Sequence, residues 1–225
     1  MVMAPDLVAA FLTLQLAGVV TLLLVPMVLP LSWWLARGRG RGRGTIRALV
    51  NLPLVLPPTV LGFYLLLFLG PHGWLGHLTQ RLGLGLLPFS FAGLVLASML
   101  YSLPFAVQPL LVAFGSIPEA LLEAASVLGA GPWQRFRRVV LPLAWSGLLN
   151  ASVLVFAHTV GEFGVVLMLG GNIPGKTLVL SVSLYNHVEA FEYGEAQHLA
   201  GLMVLFSFFV LWLLYGVRFR GGIHV

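Results

Sequence analysis

One short segment of this sequence has the spacing of a phosphate-binding loop. Gly170–Thr177 reads GGNIPGKT and fits the pattern G-x4-G-K-[ST], in which backbone N–H groups and a lysine hold nucleotide phosphates. That chemistry requires a β-strand before the loop and a helix after it. Here a long apolar run precedes the loop, and Pro174 removes one N–H donor. We therefore interpret the match as coincidental and predict a turn-rich loop that binds no nucleotide.

Two ionisable residues, His158 and Glu162, lie four positions apart in the apolar run that leads to this loop. Such residues are candidates for function, because an unpaired charge inside a membrane is costly. They could be metal ligands, a structural hydrogen-bonded pair or part of an outer gate. We favour the hydrogen-bonded pair, since two ligands without further His or Cys nearby are a poor metal site. No nucleophile lies beside a base, so we predict neither catalytic nor metal-binding residues.

Polar side chains in the apolar runs could line a path through the membrane, or could join helices through hydrogen bonds. The sequence leaves both alternatives open. The candidates for a pathway or gate in the run that holds His158 are Asn150, Ser152, His158, Thr159 and Glu162. The preceding run adds Tyr101, Ser102 and Gln108.

The elements that must position these residues are membrane spans. Hydrophobic residues make up 59% of the chain and charged residues 8%, against about a quarter charged in a soluble domain. This composition predicts an all-α integral membrane protein with residues 1–225 as a single transmembrane domain. Five runs reach the ~20 residues that one span needs, and the first is interpreted as a retained span rather than a signal peptide. The runs cover about 7–35, 49–69, 89–114, 144–169 and 196–217.

Prolines predict that several of these spans are bent. They occur inside the first and third runs, and a cluster at the start of the second run predicts a broken entry, which a membrane tolerates only where the freed backbone groups find partners. The prolines concerned are Pro26, Pro30, Pro53, Pro57, Pro58, Pro104 and Pro109.

Basic residues are distributed unequally between the two sides of the predicted spans. Ten of the twelve lie in the first connection, the connection between the third and fourth spans, and the carboxyl tail, whereas the other side has only Arg81 and Lys176. The positive-inside rule then places the amino terminus outside and the carboxyl terminus in the cytoplasm. The Arg-Gly alternation at residues 37–44 is typical of RNA-binding tracts, but between two spans we interpret it as a loop attracted to lipid headgroups. We predict no nucleic-acid partner.

The cytoplasmic segment 116–142 is the longest amphipathic stretch, and its signals predict two helices joined by a turn. Ser116, followed three residues later by Glu119, fits a capping box that starts a helix. Gly129 can adopt the left-handed conformation that ends it, and Pro132 can start the second helix. We therefore predict a helix-turn-helix, which without further information would be a surface connection between two spans.

The same segment resembles the cytoplasmic loop of the permease subunits of bacterial ABC importers. The pattern of that loop is E-A-A-x3-G-x9-I-x-L-P, and this chain departs from it only at Val139, where isoleucine is usual. In that family the first helix of the loop docks in a groove of the ATPase subunit and transmits its motion. The resemblance implies an ABC-importer permease fold. It assigns ATPase coupling to Glu119, Glu123, Ala124, Ala125, Gly129, Leu141 and Pro142.

Three further stretches resemble one subfamily, the molybdate ABC-transporter permeases. They are LPLVLPPTVLGFYLL from Leu52, AHTVGEFGVVLMLGGNIPGKT from Ala157 and YNHVEAFEYGEAQHLAG from Tyr185. Sulfate and tungstate permeases share the GEFG and GNI patterns. The resemblance therefore implies import of molybdate, with tungstate or sulfate as the alternative substrates.

This resemblance also implies the partners and the location. They are a homodimer in the cell inner membrane, two separate ABC ATPase subunits and an external oxyanion-binding protein, so the chain itself is a transport subunit without enzymatic activity or cofactor. The predicted spans lack Arg and Lys at mid-membrane. We therefore expect the anion to pass hydroxyl, amide and backbone N–H groups, with tight binding left to the external protein. A stand-alone anion channel and a membrane-bound P-loop enzyme are the alternative classes.

Overall fold

The computed structural model describes residues 5–38, 40–83 and 85–220, with side chains described as far as residue 212. Every regular element in these ranges is helical. A π-helical segment, Phe136–Val140, joins α8 to α9. The α-helices are α1 Pro5–Arg37, α2 Arg43–Val55, α3 Pro58–Leu69, α4 Trp74–Arg81, α5 Phe91–Tyr101, α6 Leu103–Gly115, α7 Glu119–Val127, α8 Pro132–Arg135, α9 Leu141–Leu143, α10 Trp145–Gly161, α11 Gly164–Gly170, α12 Leu180–Glu189 and α13 Tyr193–Arg220.

Two helices are long and apolar enough to cross a membrane alone, Pro5–Arg37 and Tyr193–Trp212. Three bent pairs of helices pass the same test when each pair is taken as one span. The described residues thus hold two to five spans by length and composition. The predicted all-helical membrane fold is confirmed, and the count of five stays a prediction.

The sharpest bend lies where the proline cluster of the second run predicts a break. The axes of α2 and α3 differ by 112°. Leu56, which ends α2, is extended with ψ of 135°, the conformation favoured before a proline. Pro58 then occupies the first position of α3, where a missing N–H removes no helical hydrogen bond. Pro26 and Pro30, by contrast, lie inside the continuous helix α1.

The fourth predicted span, residues 144–169, is not one helix. α10 ends at Gly161, Glu162 is extended, and α11 begins only at Gly164. Glycines on both sides of this break weaken the helix, because glycine loses more backbone freedom on folding than other residues. The helical path into this span also begins earlier than predicted, since Pro132–Leu143 continues into α10 across a 70° bend.

Two connections contain helices that the sequence analysis does not predict. α4 lies between the second and third predicted spans, and α12 lies between the fourth and fifth. α12 is fixed to the first span, because the backbone N–H of Leu180 donates a 2.8 Å hydrogen bond to Oγ1 of Thr13. This connection is therefore a packed part of the fold.

The core lies where α1 packs against α6 and α10. The middle of α1 contributes Leu16 and Val20, which are fully buried. Small and branched side chains on the two partner helices permit this close packing, namely Ala106, Val107, Leu110, Ala151 and Val155. The arrangement fixes both ends of α1 relative to the segments that follow α6 and α10.

Candidate functional site

The helix α7 of the hairpin, defined as residues 116–142, ends in a glycine cap. Gly129 has a φ of 79°, and its N–H donates to the Ser126 carbonyl at 2.9 Å. The N–H of Ala130 donates to the Ala125 carbonyl at 3.0 Å. These two bonds form a Schellman motif. The predicted glycine turn is confirmed, as is the start of the second helix at Pro132.

The start of α7 differs from the prediction. Its N-cap is Pro118, and no side chain caps the helix. Ser116 instead ends α6, and its Oγ donates a 2.9 Å hydrogen bond to the carbonyl of Ala113. The predicted capping box of Ser116 and Glu119 is therefore wrong, because Ser116 lies two residues before the N-cap and Glu119 is the first residue of the helix.

The surface of the hairpin is open and partly apolar. No residue of α7 is buried. Val127 and Leu128 at its end are 88% and 86% exposed, and Trp133 at the start of the second helix is 70% exposed. Outside a lipid phase, such apolar side chains are typical of a protein–protein contact. The predicted coupling residues lie on the same hairpin. Glu119, Glu123, Ala124, Gly129 and Pro142 are exposed, and Ala125 and Leu141 are half-buried.

The base of the hairpin is held by the end of α1. Nε of Arg37 donates a 3.1 Å hydrogen bond to the carbonyl of Phe114, and a second guanidinium nitrogen donates to the carbonyl of Ile117. Trp33, one turn earlier, packs edge-on against Phe114 and Phe136, with ring centroids 5.4 and 6.2 Å apart. α1 therefore contacts the hairpin both at its start, through Ile117, and in its second half, through Phe136.

The two helices of the hairpin are also joined to each other. Arg135 in α8 donates a 2.6 Å hydrogen bond to Oγ of Ser126 in α7. The π-helical segment that follows carries Phe136, whose ring stacks on Trp133 at 6.0 Å. Direct contacts therefore connect α7 to the chain that enters α10.

A cavity of about 470 Å³ lies at the break between α10 and α11. The ring of His158 in its wall stacks on Phe105, with centroids 4.0 Å apart. Nδ1 of His158 lies 3.0 Å from Oγ of Ser102 in a hydrogen bond. The lining residues are Pro58, Thr59, Tyr101, Ala157, His158, Gly161, Glu162, Phe163 and Gly164.

Glu162 is 3% exposed, and neither of its carboxyl oxygens has a hydrogen-bond partner among the described residues. The hydroxyl of Ser98 lies near this carboxyl but is itself unpartnered. The predicted hydrogen-bonded pair of His158 and Glu162 is therefore wrong. The four-residue spacing brings two side chains together only in a continuous helix, and α10 ends at Gly161.

The other predicted pathway residues are not all brought to this cavity. Thr159 is buried behind it, with Oγ1 3.3 Å from Oγ of Ser102. Asn150 and Ser152 lie earlier on α10 and do not line it, and the Ser152 hydroxyl donates to the carbonyl of Leu148 in its own helix. The sequence analysis missed Thr59 and Ser98, for which no sequence signal stands out.

The loop that fits the phosphate-binding pattern is closed on itself. The N–H groups of Lys176, Thr177 and Leu178 all donate to the carbonyl of Ile173. The Thr177 hydroxyl accepts from the N–H of Ile173 at 3.1 Å and donates to the carbonyl of Gly170 at 2.6 Å. The groups that would cradle a phosphate are thus occupied, and a helix rather than a strand precedes them. The structure supports the interpretation of this loop as a turn.

Comparison with known proteins places these features in a family. The family described as "Binding-protein-dependent transport system inner membrane component" matches residues 28–219. The molybdenum transport system permease protein ModB of Azotobacter vinelandii is 62% identical over 219 residues, covering 97% of both chains. A probable sulfate transport system permease protein of Chlorella vulgaris is 35% identical over 211 residues, covering 93% of this chain and 79% of the relative.

A solved structure has the same fold. It is that of a bacterial ABC transporter involved in the import of the acidic polysaccharide alginate, and it aligns with a TM-score of 0.77 and 23% identity over 96% of this chain and 79% of the other. This likeness shows that the two chains share a fold. The chain belongs to the family of binding-protein-dependent transport system inner membrane components.

Proposed function

We propose that this chain is the membrane-spanning subunit of an ATP-driven importer that moves molybdate into the cell. The observation that carries the proposal is the 62% identity to a molybdenum permease over 97% of both chains. The chain has no enzymatic role in this function, since ATP hydrolysis belongs to a separate partner subunit.

The cytoplasmic hairpin is the proposed contact with that ATPase subunit. Its exposed apolar end, with Val127, Leu128 and Trp133, supports docking into a groove of another protein. Glu119, Glu123, Ala124, Ala125 and Gly129 form or end the docked helix. Leu141 and Pro142 lie at the 70° bend into α10, where movement of the hairpin would change the angle of the span.

The working assembly is proposed to be a homodimer with two ATPase subunits below it and an external oxyanion-binding protein above. Dependence on a binding protein is a property of the family. Two copies related by a two-fold axis would supply ten spans around one pathway, which five spans cannot enclose with a gate on each side. The distribution of arginine supports an outer amino terminus and a cytoplasmic carboxyl terminus.

Transport in this assembly follows alternating access. ATP-driven closure of the two ATPase subunits would bring the two α7 helices together. The translocation cavity of the dimer would then change from inward-facing to outward-facing. A change of this kind is a shift between two states, biased by a ligand on another chain. The candidate pathway and gate residues Asn150, Ser152, His158, Thr159 and Glu162 lie on or directly after α10, the helix that the hairpin would move.

Uptake of labelled molybdate by the complex reconstituted in liposomes tests this function. We expect uptake that needs ATP and the binding protein, with tungstate and sulfate added as competitors to rank the substrates. Preference for sulfate would replace molybdate as the substrate and keep the mechanism, as the 35% identity to a sulfate permease allows. Passage of anions without ATP would instead indicate a channel, and outer labelling of Glu123 would contradict ATPase docking.

A further inference from the structure

We propose that the cavity at the break between α10 and α11 is an oxyanion subsite, in which Nε2 of His158 carries a proton while the anion is present. The inference rests on the proposed function, because it requires an oxyanion as cargo. It is carried by the orientation of one ring, by the direction of one hydrogen-bond chain and by the charge of the cavity wall.

The ring of His158 is fixed in position with one nitrogen directed to the protein. It packs against Phe105, at a centroid distance of 4.0 Å, and against Tyr101, at 4.8 Å. Nδ1 is bound to Ser102 at 3.0 Å. Nε2 makes no hydrogen bond within the described part of the chain and is not enclosed by it. Since His158 lines the cavity, Nε2 is the atom available to a ligand there.

The contacts behind the ring can all be hydrogen bonds in only one direction, and this direction assigns the proton of the neutral ring to Nδ1. Oγ1 of Thr159 donates to the carbonyl of Val155 at 2.9 Å, so its oxygen can accept from Ser102, 3.3 Å away. The Ser102 oxygen then accepts from Nδ1–H of His158. In this direction every contact is a hydrogen bond, and a neutral ring presents the lone pair of Nε2 to the cavity.

A lone pair repels an oxyanion, whereas a proton on Nε2 attracts it. Protonation leaves all three bonds of the chain in place and converts Nε2 into a charge-assisted donor. An imidazolium in a poorly hydrated wall is unfavourable alone but is stabilised by a neighbouring anion. The ring therefore takes a proton from cavity water as the anion enters and returns it to water when the anion leaves.

No other group in the described wall of the cavity supplies a positive charge. The titratable groups that share the wall are Tyr101 from α5 and Glu162 from the break. Both carboxyl oxygens of Glu162 are enclosed, so they make no direct contact with an anion in the cavity. If ionised, this carboxylate would favour the protonated ring and repel the anion, whereas in its neutral form it would do neither. Of the helices packed against α10, α6 has no titratable side chain, and α1 has them only at its ends. The titratable side chains of α12, and those described for α13, do not line the cavity.

Uptake by the reconstituted complex, measured against pH, tests the inference. The variants are His158→Gln, which is neutral, and His158→Arg, which is permanently charged. The matched control is His198→Gln on α13, an exposed histidine outside the cavity. Binding-protein-stimulated ATP hydrolysis of each variant shows that the complex has assembled, so that a folding defect is separated from loss of transport.

We expect wild-type uptake to fall as pH rises and the ring loses its proton, with H198Q behaving in the same way. H158R should transport with a flatter pH profile, and H158Q should lose roughly tenfold or more of the uptake rate, as expected for one charge-assisted hydrogen bond. The inference is overturned if assembled H158Q keeps the wild-type rate and profile, or if assembled H158R does not transport. If the wild type itself takes up no molybdate, tungstate or sulfate, the proposed function fails instead.

Discussion

Arg37 and Phe114 are joined by a 3.1 Å hydrogen bond from the guanidinium Nε to the backbone carbonyl, across 77 residues of sequence. This bond ties the end of α1 to the start of the hairpin. A second guanidinium nitrogen donates to the carbonyl of Ile117, and the ring of Trp33 lies 5.7 Å below the guanidinium carbon. The base of the hairpin is therefore fixed to α1.

Replacement of Arg37 by alanine should uncouple ATP hydrolysis from molybdate uptake. Hydrogen bonds to charged groups contribute about 1.5–3 kcal/mol each, so loss of this anchor loosens the base of the hairpin more than it disturbs the spans. We expect ATP hydrolysis to continue while molybdate uptake falls severalfold. Arg41→Ala is the matched control, because Arg41 lies exposed in the same loop. Equal loss in both variants would indicate a general effect of charge on the loop.

Gly129→Ala should disturb the turn of the hairpin. Gly129 has a φ of 79° and open space around it, so the penalty comes from the backbone rather than from a clash and is about 1–2 kcal/mol. We expect weaker association with the ATPase subunit, measured by co-purification, and poorer coupling of hydrolysis to uptake.

Gly131→Ala is the control for this substitution. Gly131 lies two residues further along the same turn with a φ of −65°, which any residue adopts, and a new Cβ would also meet nothing there. If the two substitutions weakened association equally, the left-handed conformation of Gly129 would not be the cause.

The sequence predicts the features of this protein that are set locally. The glycine cap at Gly129 and the break before Pro58 follow from the backbone preferences of single residues, and both are found in the structure. The capping box at Ser116 fails because Ser116 is the C-cap of α6 and α7 begins only after Pro118. The break at Glu162 has no strong local signal, since a span of 26 apolar-rich residues from 144 to 169 fits one helix equally well.

Contacts between distant segments could not be predicted from the sequence. The hydrogen bond of Arg37 to Phe114 and the stacking of Phe105 on His158 depend on which helices become neighbours. Trp33 is an example: its position at the end of a span is typical of a lipid interface, but its ring packs against Phe114 and Phe136. The hydrophobic pattern of the sequence thus predicts the span, whereas the contacts of the Trp33 side chain depend on how the helices pack.

Gly164→Ala should destabilise the packing of α11 on α3. A Cβ on Gly164 would lie 2.7 Å from Cβ of Pro58, and a proline at a helix start cannot move aside easily. Overpacking of this kind costs about 1–3 kcal/mol. Thermal unfolding in detergent should show a lower midpoint for this variant. Gly18→Ala in α1 is the control, because a Cβ there meets no atom within 4 Å, and its midpoint should not fall.

The stability of the link between α1 and α12 should depend on pH through His187. Nδ1 of His187 lies 2.6 Å from a carboxyl oxygen of Glu192, and Nε2 lies 3.3 Å from Asp6. Both nitrogens can donate only when the ring is protonated. The hydrogen bond to Glu192 raises the pKa of His187, and Asp6 raises it further, while partial burial opposes them.

Because the folded-state pKa of His187 is raised, the stabilisation is fully present below the unfolded value of about pH 6.5 and is lost as pH rises through the folded value. We expect the unfolding midpoint of the wild type to exceed that of His187→Gln at about pH 5.5, with the difference shrinking above about pH 7. His198→Gln, which removes an exposed histidine elsewhere, should show no such convergence. A difference between wild type and H187Q that stays constant across this range would mean that His187 acts through packing alone.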